Sequence, residues 1–208
     1  MDQQRERGGN NGENSTPKVE GEVLMPRPFM GVKDRRFASF RMVVKGDYLD
    51  VESNSLLSDI LSKRGDQKLL FADRITKLSG SGNIKQRAMM ITDRAIYLAD
   101  MDSYALRRRI PLASVDRICL SKLKDNFFAL IIPTEYDCLM ASTRKTEIVS
   151  ILVEATKIKP AYEISVVFSN RFEYRSAADA TKVVLFEEIE GTNHLLIQPS
   201  TVDFISHN

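Results

Sequence analysis

The sequence predicts a mainly β fold with helices (α+β), in which seven short strands form a barrel or orthogonal sandwich and an amphipathic helix follows them. Three observations predict it. From Lys68 onward, runs rich in Ile, Leu, Phe, Val and Tyr recur about every 8 to 12 residues, the spacing of antiparallel strands. After the seventh run the apolar period becomes helical, with Ile148, Ile151, Leu152 and Ala155 on one face and Val149 and Val153 beside them. At 208 residues, 43% hydrophobic and 28% charged, the chain can bury the core that such a fold needs.

The elements follow in order. Residues 1–24 are rich in Gly, Asn, Glu and Gln and nearly devoid of apolar side chains, so they read as a disordered polar tail. Pro26 and Pro28 bias the next residues to an extended entry. Between 33 and 51, Phe37, Phe40, Met42, Val43, Tyr48 and Leu49 alternate with Lys33, Arg35, Arg36, Arg41 and Lys45, and Gly46-Asp47 marks a turn. Ser55 is a good N-cap for a short helix carrying Leu56, Leu57, Ile60 and Leu61, which Lys63, Arg64 and Gly65 close. Strands are expected at 68–78, 87–92, 95–99, 105–110, 115–121, 127–132 and 136–141. A helix capped by Ser142 or Thr143 then runs to Lys157. Strands at 163–168, 171–175, 182–187 and 194–198 read as two added hairpins, and 201–208 as a frayed end. Seven strands and then a helix is the order of a pleckstrin-homology-type barrel, whose helix plugs the open end. The expected organisation is one domain over 25–200: an N-terminal extension (25–67), a core (68–158) and added hairpins (160–200).

Charge is unevenly spread. From Arg27 to Ile110 there are 17 Lys/Arg against 10 Asp/Glu, whereas from Ala161 onward there are 3 against 7. A basic N-terminal half favours an anionic partner such as phosphate, a lipid headgroup or nucleic acid, with a plain solvated surface as the alternative. No apolar run is long enough to span a bilayer, and the polar N-terminus is no signal peptide. A cytoplasmic chain, peripheral at membranes, is the expectation. In such a reducing compartment Cys119 and Cys138, both in apolar runs, are read as buried thiols. No metal-ligand spacing, phosphate loop or nucleophile motif is present, so neither cofactor, metal nor enzymatic activity is expected. Nucleic acid is not expected either, for want of a recognition-helix or aromatic RNA-binding signature.

The stretch Asp73–Asp100 carries the candidate site. Lys77 ends one strand, and Lys85 and Arg87 begin the next, around a Gly/Ser loop. Lys85 and Arg87 are two apart and share a strand face. Antiparallel pairing brings Lys77 beside them. Arg87 offers a planar fork for phosphate and the lysines offer point charges. Gly80 and Gly82 allow backbone N–H groups to turn toward an anion, and Thr76 and Tyr97 are candidate hydroxyl donors. Two further clusters are candidate membrane-facing cations: Arg35, Arg36 and Arg41 beside Phe37 and Phe40, and Arg107 with Arg109, which share a face while Arg108 takes the other. Anchoring of the aromatics on the barrel, and a solvated strand face, are the respective alternatives.

Five blocks in order resemble the tail-homology-1 domain of class I myosins: RRFASFRMVVKGDYLDV, LLFADRITKL, RAMMITDRAIYLAD, RRRIPLASVDRICLSKLKDNFFALIIP and TEIVSILVEATK. The resemblance covers roughly residues 27 to 190. It implies a pleckstrin-homology-like core that binds anionic phospholipids, notably phosphatidylinositol bisphosphate, and a link to the actin-myosin cytoskeleton with its associated proteins. In the pleckstrin-homology phosphoinositide pattern, a Lys ends the first strand and a basic-any-Arg triplet opens the second; Lys77, Lys85 and Arg87 fit it. The first loop departs from the family, since its tip, Ser79 to Asn83, is neutral where relatives tend to be basic. The 208 residues hold no motor, calmodulin-binding helix or nucleotide loop, so no motor activity is expected of them. A protein-interaction adaptor with little lipid affinity is the competing reading.

Overall fold

The computed structural model describes residues 46–66, 68–79, 82–157, 163–177 and 180–200. The expected tail at 1–24, the Arg35/Arg36/Arg41 cluster and the C-terminal residues 201–208 lie outside them.

Seven strands appear where the apolar runs recur: β1 (Leu69–Leu78), β2 (Ile84–Thr92), β3 (Ala95–Asp100), β4 (Leu106–Pro111), β5 (Arg117–Leu120), β6 (Phe127–Ile131) and β7 (Cys138–Ala141). Helix α1 (Ser55–Ser62) precedes them and helix α2 (Lys145–Lys157) follows. The N-cap of α1 is Asn54, not Ser55: its side-chain oxygen accepts from the Leu57 backbone N–H at 3.3 Å. Both residue types cap well, so composition alone does not decide between neighbours. Gly65, at φ +69°, ends the helix as expected, and Asp66 N–H returns to the Leu61 carbonyl at 3.2 Å. Ahead of α2, Ser142 Oγ accepts from Arg144 N–H at 3.0 Å.

β1 organises the main sheet because it is long enough to pair on both edges. It runs antiparallel to β2 from end to end, and its last three residues pair with β7. Pairing is thus continuous through eight strands in the order β4-β3-β2-β1-β7-β6-β5-β8. The eighth, β8 (Ser165–Phe168), does not form a hairpin with the strand that follows it. It lies parallel to β5, after the crossover made by α2. The remaining strands, β9 (Arg171–Ala177), β10 (Ala180–Ile189) and β11 (Thr192–Pro199), form two hairpins sharing β10 in a separate antiparallel sheet.

Burial on both faces explains why these strands read as unbroken apolar runs rather than alternating ones. On the interior face, Phe71, Ile75, Met89, Ile91, Ile96, Leu98 and Ile110 pack with Ile148, Val149 and Leu152 of α2. On the outer face of β1–β3, Ala72, Ala88, Met90 and Tyr97 pack under Leu57 and Leu61 of α1. On the outer face of β5–β7, Cys119, Ala129, Ile131 and Leu139 pack against Tyr174, Val184 and Phe186 of the C-terminal sheet. Both cysteines are buried free thiols, and burial pushes each of them up from its ordinary pKa.

Asp137 fastens the second sheet to the first. Its buried carboxylate accepts from Ile132 N–H at 2.7 Å and Arg175 N–H at 2.6 Å, and its own N–H donates to the Arg175 carbonyl at 2.7 Å. Asp137→Ala strands two backbone donors, and urea denaturation is expected to show a loss of about 2 kcal/mol.

Candidate functional site

Helix α2 covers the end of the interior face that holds Phe71, Ile91 and Ile110. At the opposite end the same face turns from apolar to charged. The change can be followed strand by strand at period two. On β2 the inward residues run Ile91, Met89, Arg87, Lys85. Their partners on β1 are Phe71, Asp73, Ile75 and Lys77. On β3, Asp100 stands opposite Arg87, as Leu98 stands opposite Met89. On β4, Arg108 stands opposite Leu98. Lys77, Lys85, Arg87, Asp100 and Arg108 therefore share one face at the open end. Glu135 and Tyr136, from the turn between β6 and β7, close it on the far side.

Register places Lys77 directly opposite Lys85. Lys85 is exposed, and Lys77 holds its ammonium 5.7 Å from the centre of the Tyr136 ring. Arg87 is mostly buried, with only 12% of its side chain exposed, and donates to Asp100 at 3.0 Å and to the Gln86 carbonyl at 2.9 Å. Asp100 also lies 3.5 Å from the Arg107 guanidinium. Hydrogen bonds from the backbone of Ser103 and Asp102, helped by the Arg107 and Arg87 charges, hold Asp100 below the usual carboxylate range. Lys85, Gln86, Arg87, Asp100, Met101 and Asp102 line an open cleft of about 380 Å³.

The three consecutive arginines of β4 separate differently from the expectation. Between Leu98 and Ala99 the β3–β4 register shifts, so Leu98 pairs with Arg108 and Ala99 with Leu106, leaving Arg107 as the bulged residue. Arg107 turns to Asp100 at the mouth. Arg109 pairs with Tyr97 on the α1 face, where its guanidinium lies 2.9 Å from the buried Asp66 carboxylate. Arg107 and Arg109 thus have separate carboxylate partners, and Arg108 joins the Lys77 face.

Other expected donors also sit elsewhere. Thr76 pairs with Gln86 on the opposite face, where its hydroxyl accepts from the Gln86 amide at 3.1 Å. Tyr97 is fully buried under α1, bonded to Asp66. In the loop, Gly82 N–H is taken by the Ser79 carbonyl at 2.9 Å, Ser79 N–H by the Asn83 carbonyl at 2.8 Å, and Asn83 N–H by Ser79 Oγ at 3.0 Å. Those N–H groups do not face an anion, and Gly80 lies outside the described residues. The loop is also shorter than expected. β2 begins at Ile84 rather than Arg87, because Ile84, Lys85 and Gln86 are exposed and carry no buried pattern, yet they pair in register.

The sequence reading missed Arg108, Glu135 and Tyr136. For Arg108 a signal existed: Ile110 is a core residue, and two positions back along a strand lies on the same face. Glu135 and Tyr136 reach the mouth only through long-range folding of a turn, which leaves no local pattern.

Comparison with known proteins gives the chain's family. A family model described as "Unconventional myosin tail, actin- and lipid-binding" matches residues 35–203. Myosin heavy chain IB of Acanthamoeba castellanii is 30% identical over 178 residues, covering 82% of this chain and 15% of that one. Myosin IC heavy chain of the same organism is 31% identical over 170 residues, covering 74% and 14%. The chain therefore spans about 15% of the length of such relatives. Among solved structures, the N-terminal PH domain of human ARAP2 aligns at 19% identity with a TM-score of 0.36, over 42% of this chain and 78% of that one. With more than half of its residues matched by the family model, the chain belongs to the tail-homology-1 family of unconventional myosin tails.

Proposed function

We propose that this chain is a non-catalytic membrane-binding module, acting at the cytoplasmic surface, that attaches to anionic phospholipids and above all to phosphoinositides. The observation that carries the reading is the sharing of one face, at the open end of the core, by Lys77, Lys85 and Arg87. Arg107 adds charge at the rim, while Arg109 is committed to Asp66. The family description, actin- and lipid-binding, supports the same assignment and a place in the actin-myosin cytoskeleton. Cations near an anionic bilayer contribute about 1 kcal/mol each, so a few of them give reversible, salt-sensitive attachment. No helix among the described residues is long and apolar enough to cross a membrane.

The test is co-sedimentation with phosphatidylcholine vesicles with and without phosphatidylinositol bisphosphate. The wild-type chain is expected to sediment only with the second. Lys77→Ala with Arg87→Ala is expected to weaken that binding at least tenfold at low salt, two charges at about 1 kcal/mol each. Unchanged binding by the double variant sinks the site assignment.

A second reading is a protein-interaction adaptor with little lipid affinity. The outward face of the C-terminal sheet favours it, because Leu185 and Leu196 pair there and Leu196 and Ile189 are exposed. Specific recovery of a protein partner, together with no sedimentation on either vesicle, selects this reading.

A further inference from the structure

Arg108 is the deepest cation of the mouth and has the least ordinary surroundings. Only 7% of its side chain is exposed. One terminal nitrogen lies 2.9 Å from Cys138 Sγ; the other donates to Glu135 at 2.8 Å and to the Tyr136 carbonyl at 2.6 Å. The guanidinium carbon sits 3.9 Å from the centre of the Tyr136 ring, the ring that Lys77 also approaches. Among the described residues its buried Nε–H has no hydrogen-bond partner. A buried guanidinium needs a countercharge and partners for its N–H groups. Here the sole carboxylate paired with it among the described residues belongs to Glu135, whose side chain is 44% exposed on a turn. The Glu135 carboxylate therefore marks a place where an oxyanion, entering from solvent, meets Arg108.

Resting on the phosphoinositide reading above, we infer that Arg108 is the floor of the headgroup site and that Glu135 is a built-in counter-anion, displaced when a phosphate monoester of the ligand enters. A phosphate competes well for this place because it brings more charge and more acceptor oxygens than a carboxylate. Tyr136 positions the two inner cations, Arg108 and Lys77, against one ring. Asp100 plays the corresponding part for Arg87. Binding then exchanges internal ion pairs for external ones, so affinity is set by how firmly the protein's own carboxylates hold their arginines.

The decisive variant is Glu135→Gln, which removes the competing charge at an exposed position and keeps an acceptor oxygen beside Arg108. The control is Asp102→Asn. Asp102 lines the cleft beside Lys85 and Arg87 but pairs with no cation among the described residues, so it reports the general effect of removing one negative charge. Binding is measured on vesicles containing phosphatidylinositol bisphosphate, on vesicles with phosphatidylserine at matched charge, and with soluble inositol trisphosphate. Glu135→Gln is expected to tighten binding to the first vesicle about fivefold beyond Asp102→Asn, the factor that about 1 kcal/mol supplies, with no such excess on phosphatidylserine. A parallel gain for inositol trisphosphate assigns the site to the headgroup alone; a gain on vesicles only assigns it to the membrane-borne lipid. The excess is expected to vanish in Glu135→Gln/Arg108→Lys, which keeps the charge and loses the fork. If Glu135→Gln only matches Asp102→Asn while Lys77→Ala/Lys85→Ala loses binding, the inference is wrong and the phosphoinositide reading stands. If the wild-type chain ignores phosphatidylinositol bisphosphate altogether, both fall.

Discussion

Reversing both facing lysines, Lys77→Glu with Lys85→Glu, is expected to abolish sedimentation with phosphatidylinositol bisphosphate vesicles. Each reversal alters two units of charge, so the pair weakens binding by about 4 kcal/mol at low salt, roughly a thousandfold. Screening shrinks the difference as ionic strength rises, which a comparison at two salt concentrations reads out. The single variant Lys85→Glu separates function from stability. Lys77 and Lys85 stand directly opposite each other, and like charges so placed destabilise a sheet. Converting one of them to glutamate makes an opposite-charge pair, expected to raise unfolding stability by about 0.5 kcal/mol while lowering vesicle affinity. Stability and binding moving in opposite directions from one substitution is the signature of cations kept for a ligand. A variant that loses both stability and binding points instead to a structural role for the pair.

The legibility of the fold follows from what buries its strands. Runs such as Ala88–Thr92 and Ala95–Ala99 are apolar on both faces, one against the core and one against α1 or its surroundings, so their existence is plain from composition. Their neighbours in space are not. The parallel addition of β8 to β5 depends on the α2 crossover, and the exposed Ser165, Val167 and Phe168 give no hint of it. The site divides the same way. Lys77, Lys85 and Arg87 lie on one hairpin, whose register follows from local pairing, so sequence suffices to align them. The fate of the β4 arginines depends on a bulge and on two carboxylates, Asp66 and Glu135, distant along the chain. Alternation alone makes Arg107 and Arg109 look equivalent, and the bulge is what ends that equivalence.

Asp66→Ala is expected to be among the most destabilising single substitutions on the α1 side, because it removes the acceptor of a buried network without removing its donors. Asp66 is 1% exposed and receives the Tyr97 hydroxyl and the Arg109 guanidinium, with Arg94 at 3.9 Å. Burial alone pushes its pKa up, but the bonds from Tyr97 and Arg109 and the charges of Arg109 and Arg94 outweigh it and hold the carboxyl below its ordinary value. Without Asp66, the partner left to the Tyr97 hydroxyl among the described residues is Arg109, a donor, and Arg109 loses the carboxylate it pairs with. Breaking such a pair costs about 3 kcal/mol, at the low end because Arg109 is partly exposed. For a chain of this size the melting temperature is expected to fall by on the order of 10 °C. The pH dependence gives an independent check. A carboxyl depressed in the folded state stabilises above its unfolded pKa of about 3.9, and that contribution is lost as pH falls through the lower folded value. The wild-type chain therefore loses stability on acidification below about pH 4, and Asp66→Ala is expected to flatten that limb. Tyr97 gives the opposite sign. Burial and its bond to Asp66 push the phenol up, so its contribution is full below its unfolded pKa of about 10 and lost at higher pH. Because Asp66 and Tyr97 face α1 while Lys77, Lys85 and Arg87 face the mouth, Asp66→Ala measured well below its melting temperature is expected to leave vesicle binding intact. Loss of binding under those conditions means the two faces of the sheet are coupled and the cations at the mouth do not act alone.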